Sequence, residues 1–83
     1  MKLLKFWADW CNPCKQQTKE FEDNPVDIEV ESINVDDDDK EDLVKKYKIL
    51  SIPTMILIND DKVVNRWSGF TKSSEINEFI KTL

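Results

Sequence analysis

The sequence contains no histidine, so imidazole supplies no catalytic base, nucleophile or metal ligand. Long apolar runs are missing too. The opening Met1-Lys2-Leu3-Leu4-Lys5 is broken by charge at once, and no segment is long enough for a signal-peptide core or a membrane span. With Met1 at its head, the chain is expected to carry no leader and to be cytoplasmic. Basic charge is not in excess: the formal net charge is −5 and the pI about 4.6. That balance argues against nucleic acid and anionic membranes as partners. Cysteine is scarce. The two that occur, Cys11 and Cys14, enclose a loop too small to staple a fold, so they are not the framework of a disulfide-stabilised domain.

What is present suits one folded domain. Hydrophobic residues make up 40% and charged residues 35% of the 83 positions, a globular composition and not a disordered one. The domain is expected to span residues 1–83 as a monomer, with no repeat or linker. Leu3, Leu4, Phe6, Trp7 and Ala8, interrupted by Lys5, predict a strand buried on both faces. Residues 12–22 predict a helix with Cys14, Thr18 and Phe21 on one side and Pro13 in its first turn. Residues 27–35 predict an edge strand, because Glu29 and Glu31 share a face. A helix carrying Leu43, Val44 and Tyr47 follows, with Asp39 and Asp42 placed to cap its start. Strands from Thr54 to Ile58 and Val63 to Trp67 flank an Asn59-Asp60-Asp61-Lys62 turn and form a hairpin. Ile76, Phe79, Ile80 and Leu83 mark a last amphipathic helix, with Thr71, Ser73 and Ser74 offering N-cap hydroxyls. The order is β-α-β-α-β-β-α, an α/β fold with a right-handed parallel βαβ unit at its start.

Chemistry concentrates at Cys11-Asn12-Pro13-Cys14. Residues three apart on a helix share a face, with β-carbons about 5–6 Å apart, so dithiol and disulfide interconvert without refolding. Cys11 falls at the helix N-terminus, where free N–H groups and the helix dipole favour a thiolate; it is the expected nucleophile. Cys14 lies a turn inside and is the expected resolving thiol, attacking the mixed disulfide that Cys11 forms. Three other readings compete. A zinc site needs about four ligands, which two thiols without histidine supply only between molecules. Inert core thiols and a coincidental spacing are the others. The strand–Cys-x-x-Cys–helix context favours redox chemistry over all three. The run Asp36 to Asp39 lacks the glycine and spacing of a calcium loop and reads as the acidic start of a helix.

The stretch Phe6-Trp7-Ala8-Asp9-Trp10-Cys11-Asn12-Pro13-Cys14-Lys15 resembles the active-site segment of the thioredoxin family. Ile52-Pro53-Thr54 resembles the family's cis-proline motif, and Gly69 stands where its glycine beyond the last strand is expected. These features occur in the family's order over nearly the whole chain. The resemblance implies dithiol exchange with protein disulfides, no cofactor, a cis bond before Pro53, and a groove for client segments at Trp10, Asn12, Ile52, Pro53, Ser68 and Gly69. An extended client would pair with the backbone of Ile52. Trp7 and Trp67 read as packing residues. The resemblance further implies disulfide-containing client proteins, ribonucleotide reductase being one candidate, and a thioredoxin reductase or similar flavoenzyme as electron donor. A non-catalytic binding module is the alternative, since the fold also serves as a subunit of larger assemblies.

Several positions depart from the family. The usual first strand and helix are missing, which implies a minimal fold of four strands in a mixed sheet with three helices. Proline precedes the second cysteine and the chain has one glycine, so glutathione use of the glutaredoxin kind is not expected. Asn12 replaces the usual glycine. Lys5 stands where the family has a buried aspartate that accepts the second cysteine's proton, and Ser32 aligns with that aspartate's usual lysine partner. Burying a charged, unpaired lysine costs several kcal/mol, against a total stability of about 4–12 kcal/mol for this length. Lys5 is therefore expected to snorkel to solvent, to pair with an acid such as Glu31, or to sit neutral near Cys14.

Overall fold

The computed structural model describes residues 1–83. Strands β1 (Lys2–Trp7), β2 (Glu29–Asn34), β3 (Thr54–Asn59) and β4 (Lys62–Ser68) form one sheet in the order β2-β1-β3-β4. β1 pairs with β2 in parallel and with β3 antiparallel, and β3 with β4 antiparallel. Helices α1 (Asn12–Asp23), α2 (Glu41–Lys46) and α3 (Ser73–Lys81) cover it. A 3₁₀ turn, Asp38–Lys40, precedes α2.

Strand alternation splits the interior in two. Leu3 packs with Met55, Leu57, Trp67 and Ile76 on the face covered by α1 and α3. Trp67 meets Phe79 of α3 edge to face, with ring centroids 5.6 Å apart. Leu4, Phe6, Ile33, Tyr47 and Ile56 pack on the face covered by α2. β2 is an edge strand. Its Glu29 and Glu31 stay near water, where Lys2 reaches them at 3.7 and 2.9 Å.

Turn chemistry follows the residues. Asp60 and Asp61 form a two-residue hairpin loop with φ of 51° and 68°, as a turn matching the strand twist requires. α2 ends in a Schellman motif: Ile49 N–H bonds Val44 C=O and Lys48 N–H bonds Lys45 C=O, with Lys48 at φ 51°.

Two capping expectations are corrected. Asp39 does not cap α2; Asp37 accepts from Asp39 N–H at 3.0 Å and caps the 3₁₀ turn instead. The turn takes up the chain's first bend, so α2 begins at Glu41 with no side-chain cap. Nor do the hydroxyls of Thr71, Ser73 and Ser74 cap α3. Glu20 of α1 accepts from Ser73 N–H at 2.8 Å, and Thr71 bonds Gly69 C=O at 3.1 Å. A neighbouring helix's carboxylate takes the place of a local hydroxyl.

Candidate active site

The central strand β1 ends at Trp7, and Ala8 C=O accepts from Cys11 N–H at 3.2 Å. That bond closes the turn that places Cys11 as N-cap of α1 in an extended conformation. Pro13 sits in the first turn, where its missing N–H has no intrahelical partner to lose. Cys11 and Cys14 form a disulfide, with α-carbons 5.2 Å apart. Cys14 N–H donates to Cys11 Sγ at 3.2 Å, which favours negative charge on that sulfur once the bond is reduced.

Opposite lies the loop before β3. Cys11 Sγ is 3.7 Å from the Ile52 carbonyl oxygen, within reach of a reduced thiol. The Ile52–Pro53 peptide bond is cis. Thr54 Oγ1 donates to Ser51 C=O at 2.7 Å, and Gly69 N–H donates to Pro53 C=O at 2.8 Å. Gly69 holds φ 81°, a left-handed conformation that other residues enter with strain.

Different spaces lie near the two cysteines, the first reached from Cys11 through its neighbours Trp10 and Ile52. Beside Cys11 runs an apolar groove of about 470 Å³, lined by Trp10, Val35, Val44, Ile49, Leu50, Ser51 and Ile52. Trp10 is 68% exposed and Leu50 96%. Trp10 is steadied by its indole N–H, which donates to Asp36 at 2.8 Å. The Schellman motif builds the groove's far wall by setting Ile49 against Val44. Cys14, 1% exposed, instead lines a smaller cavity of about 180 Å³ with Trp7, Ala8, Asp9, Lys15 and Thr18.

Sequence-selected positions distribute unevenly around this centre. Trp10 and Ile52 line the groove, and Asn12 stands exposed in the first turn of α1. Pro53 and Gly69 are joined by the bond above. Ser68 pairs with Thr54 and faces a separate depression with Lys48, Leu50 and Arg66. Lys5 neither snorkels nor meets Glu31. It pairs in register with Ser32, so Glu31 points to the opposite face and is held by Lys2. Lys5 is 5% exposed and its ammonium donates to Thr18 Oγ1, near the Phe21 ring. Burial pushes its pKa below the usual lysine value, with the Glu22 charge opposing.

Three side chains of α1 take roles that the sequence reading did not assign, although it placed Thr18 on the face of Cys14. Gln17 is fully buried: it donates to Thr71 C=O and accepts from Thr71 N–H, both at 2.8 Å. With Glu20 on Ser73 it clips the cysteine-bearing helix to the loop after Gly69. Thr18 connects Lys5 to the backbone of Cys14, donating to its carbonyl at 3.1 Å. The signal was there for Gln17, which completes the i, i+3, i+4, i+7 stripe of Cys14, Thr18 and Phe21.

A helix-capping cysteine joined to a second one turn on, facing a cis-proline loop at the ends of the two central strands of a mixed sheet, defines a protein of dithiol–disulfide exchange. The comparisons agree with the geometry. The thioredoxin family model matches residues 1–82. Thioredoxin of Staphylococcus aureus is 32% identical over 82 residues, covering 96% of this chain and 79% of its own length. That of Bacillus subtilis is 31% identical over 80 residues, covering 94% and 77%. A mutant thioredoxin of Halobacterium salinarum superposes with a TM-score of 0.83 at 28% identity, covering 98% of this chain and 72% of that one. The chain belongs to the thioredoxin family, has its fold, and is a thiol–disulfide oxidoreductase.

Proposed function

We propose that the chain is a protein-disulfide reductase of the cytoplasm, recharged by a thioredoxin reductase or similar flavoenzyme, with ribonucleotide reductase among its candidate clients. The observation that carries this reading is the asymmetry of the two sulfurs. Cys11, 5% exposed, lies between Trp10 and Ile52, which line the apolar groove, while Cys14, 1% exposed, lines only the smaller cavity. Neither the N–H nor the C=O of Ile52 takes part in a backbone hydrogen bond, so both are free to pair with an extended client segment beside Cys11.

The reaction proceeds in two exchanges. Cys11 thiolate attacks a client sulfur, forming a mixed disulfide and releasing the other client sulfur as a thiolate. Cys14 then attacks Cys11 Sγ, the bond to the client breaks, and the client leaves reduced. The test is turnover of a protein disulfide with dithiothreitol as electron source, together with the midpoint potential against a glutathione buffer. Cys11→Ser should abolish turnover, and Cys14→Ser should trap the client covalently on Cys11. An oxidising potential, near that of a disulfide-forming catalyst, would overturn the reductase reading. A cellular role that survives the double serine variant, which has no turnover, would show a binding module instead.

A further inference from the structure

We propose that the cavity flanked by Lys48 and Arg66 receives an acidic side chain of the client, so that the protein selects clients carrying Asp or Glu near the reactive cysteine. The proposal rests on the reading of proteins as clients and adds their chemical class. Strand alternation puts Arg66 and Ser68 of β4 on one face, in register with Ile56 and Thr54 of β3. Ile56 packs with Tyr47 beneath α2, so this is the α2 face. There Arg66 and Ser68 meet residues 48–51, the loop that leaves α2, and the two walls enclose about 210 Å³. No carboxylate lines this cavity. Its polar walls are the two cations and the hydroxyl residues Ser51, Thr54 and Ser68.

These two cations are unpaired in a chain rich in acids. The net charge is −5, and Lys2, Lys19, Lys45 and Lys81 each hold a carboxylate. Neither Lys48 nor Arg66 forms an ion pair, although both are exposed. Arg66, the chain's only arginine, donates to Tyr47 C=O, which anchors the guanidinium at the end of α2. Its other N–H groups have no protein acceptor and can grip a carboxylate through two parallel bonds. Carbonyls at a helix C-terminus ordinarily repel an anion. Here they are engaged, Tyr47 by Arg66, Val44 by Ile49 N–H and Lys45 by Lys48 N–H.

The cavity adjoins the client's path. Ile49, Leu50 and Ser51 line both it and the apolar groove. The exposed Leu50 is therefore a ridge between an apolar and a cationic depression. A client strand paired with the backbone of Ile52 lies next to that ridge. Residues of a strand advance about 3.3 Å each and alternate in direction. One client side chain thus fills the groove while another, a few positions away, reaches Lys48 and Arg66. The apolar contact supplies affinity, and the charged contact fixes register and excludes clients with a basic residue there.

The test uses disulfide-linked peptides in which Glu, or its isostere Gln, is placed in turn at each position near the cysteine. Reduced protein is mixed with each peptide, and the second-order rate constant is read from tryptophan fluorescence. Each value is divided by the rate with dithiothreitol, which removes the charge's own effect on the disulfide. At the favoured position Glu should exceed Gln about fivefold at low salt, and the preference should fade as salt rises. Lys48→Asn combined with Arg66→Gln should bring the ratio to about one; asparagine tolerates the left-handed conformation at position 48. A purely structural role for the two residues would slow both peptides together and leave the ratio standing, which would overturn the proposal. Lys48→Asn should by itself about halve the preference, and it carries the test should Arg66→Gln fail to fold. Equal rates for Glu and Gln at every position with the wild-type protein would overturn the proposal and leave the protein-disulfide reading intact. Reduction of neither peptide would overturn both. As a second readout, the Arg66 side-chain NMR signal should shift with the Glu peptide and not with the Gln peptide. A shift with inorganic phosphate alone would show a small-anion site and overturn the client reading of the cavity.

Discussion

On the Cys11 side of the disulfide the walls are apolar and open, formed by Trp10, Ile52 and a nearly fully exposed Leu50. On the Cys14 side the residue is buried among side chains that hydrogen-bond, with Thr18 on the Cys14 carbonyl, Lys5 on Thr18, and Gln17 locking the helix to the loop after Gly69. The open wall gains little for the folded monomer from its exposed side chains, because they remain in water. The enclosed wall is held by hydrogen bonds whose loss would strand buried polar groups. One disulfide therefore joins a surface built for an incoming chain to an interior built to hold one sulfur in place.

Breaking the enclosed side should have the largest effect on stability. Gln17→Leu removes both bonds to Thr71 and leaves its buried N–H and C=O unpaired. At about 1–3 kcal/mol for each of the two stranded groups, the loss should be about 2–6 kcal/mol. Urea denaturation should show a lower midpoint with an unchanged slope.

Changing the open side should leave stability alone and act on clients. Leu50→Asp places a charge in the groove wall. It should raise KM for a protein disulfide about tenfold, equivalent to about 1.4 kcal/mol of lost contact. The rate with a small aromatic disulfide should be unchanged. Equal losses with both substrates would show that the groove acts on the cysteines and not on the client.

A smaller change tests how the groove wall is made. Lys48 holds a left-handed conformation at the end of α2. Lys48→Gly should relieve that strain and raise the denaturation midpoint by about 0.5–1 kcal/mol equivalent.

The last test concerns sign. The folded-state pKa of Lys5 is lowered, chiefly by burial, so between that value and the unfolded one the unfolded chain binds more protons. Stability therefore rises with pH across that window, and the penalty is present in full below it. Lys5→Met should stabilise the fold most at low pH, with the gain vanishing above the usual lysine value of 10.5. A gain independent of pH would place the benefit in packing alone.

Much of the fold was legible in the sequence because its signals are local. Alternation along β1, the three-residue cysteine spacing and the Asp60-Asp61 turn depend on neighbours a few positions away. The misread elements depended on distant partners. The cap of α3 comes from Glu20, 53 positions before Ser73, and the clip on Thr71 from Gln17, 54 positions before it. Local hydroxyls at Thr71, Ser73 and Ser74 therefore predicted a cap that a remote carboxylate had displaced.

The missing histidine and the paired cysteines by themselves determined that any chemistry here runs through sulfur. Cys11 is the helix-capping sulfur because proline and the strand before it set where α1 begins. Only the tertiary structure decided what surrounds Cys14. Strand parity shows that Lys5 and Glu31 differ in face only once the parallel register of β1 and β2 is known. Register is a pairing of segments far apart in the chain, chosen by burial of both faces together, and no local pattern contains it.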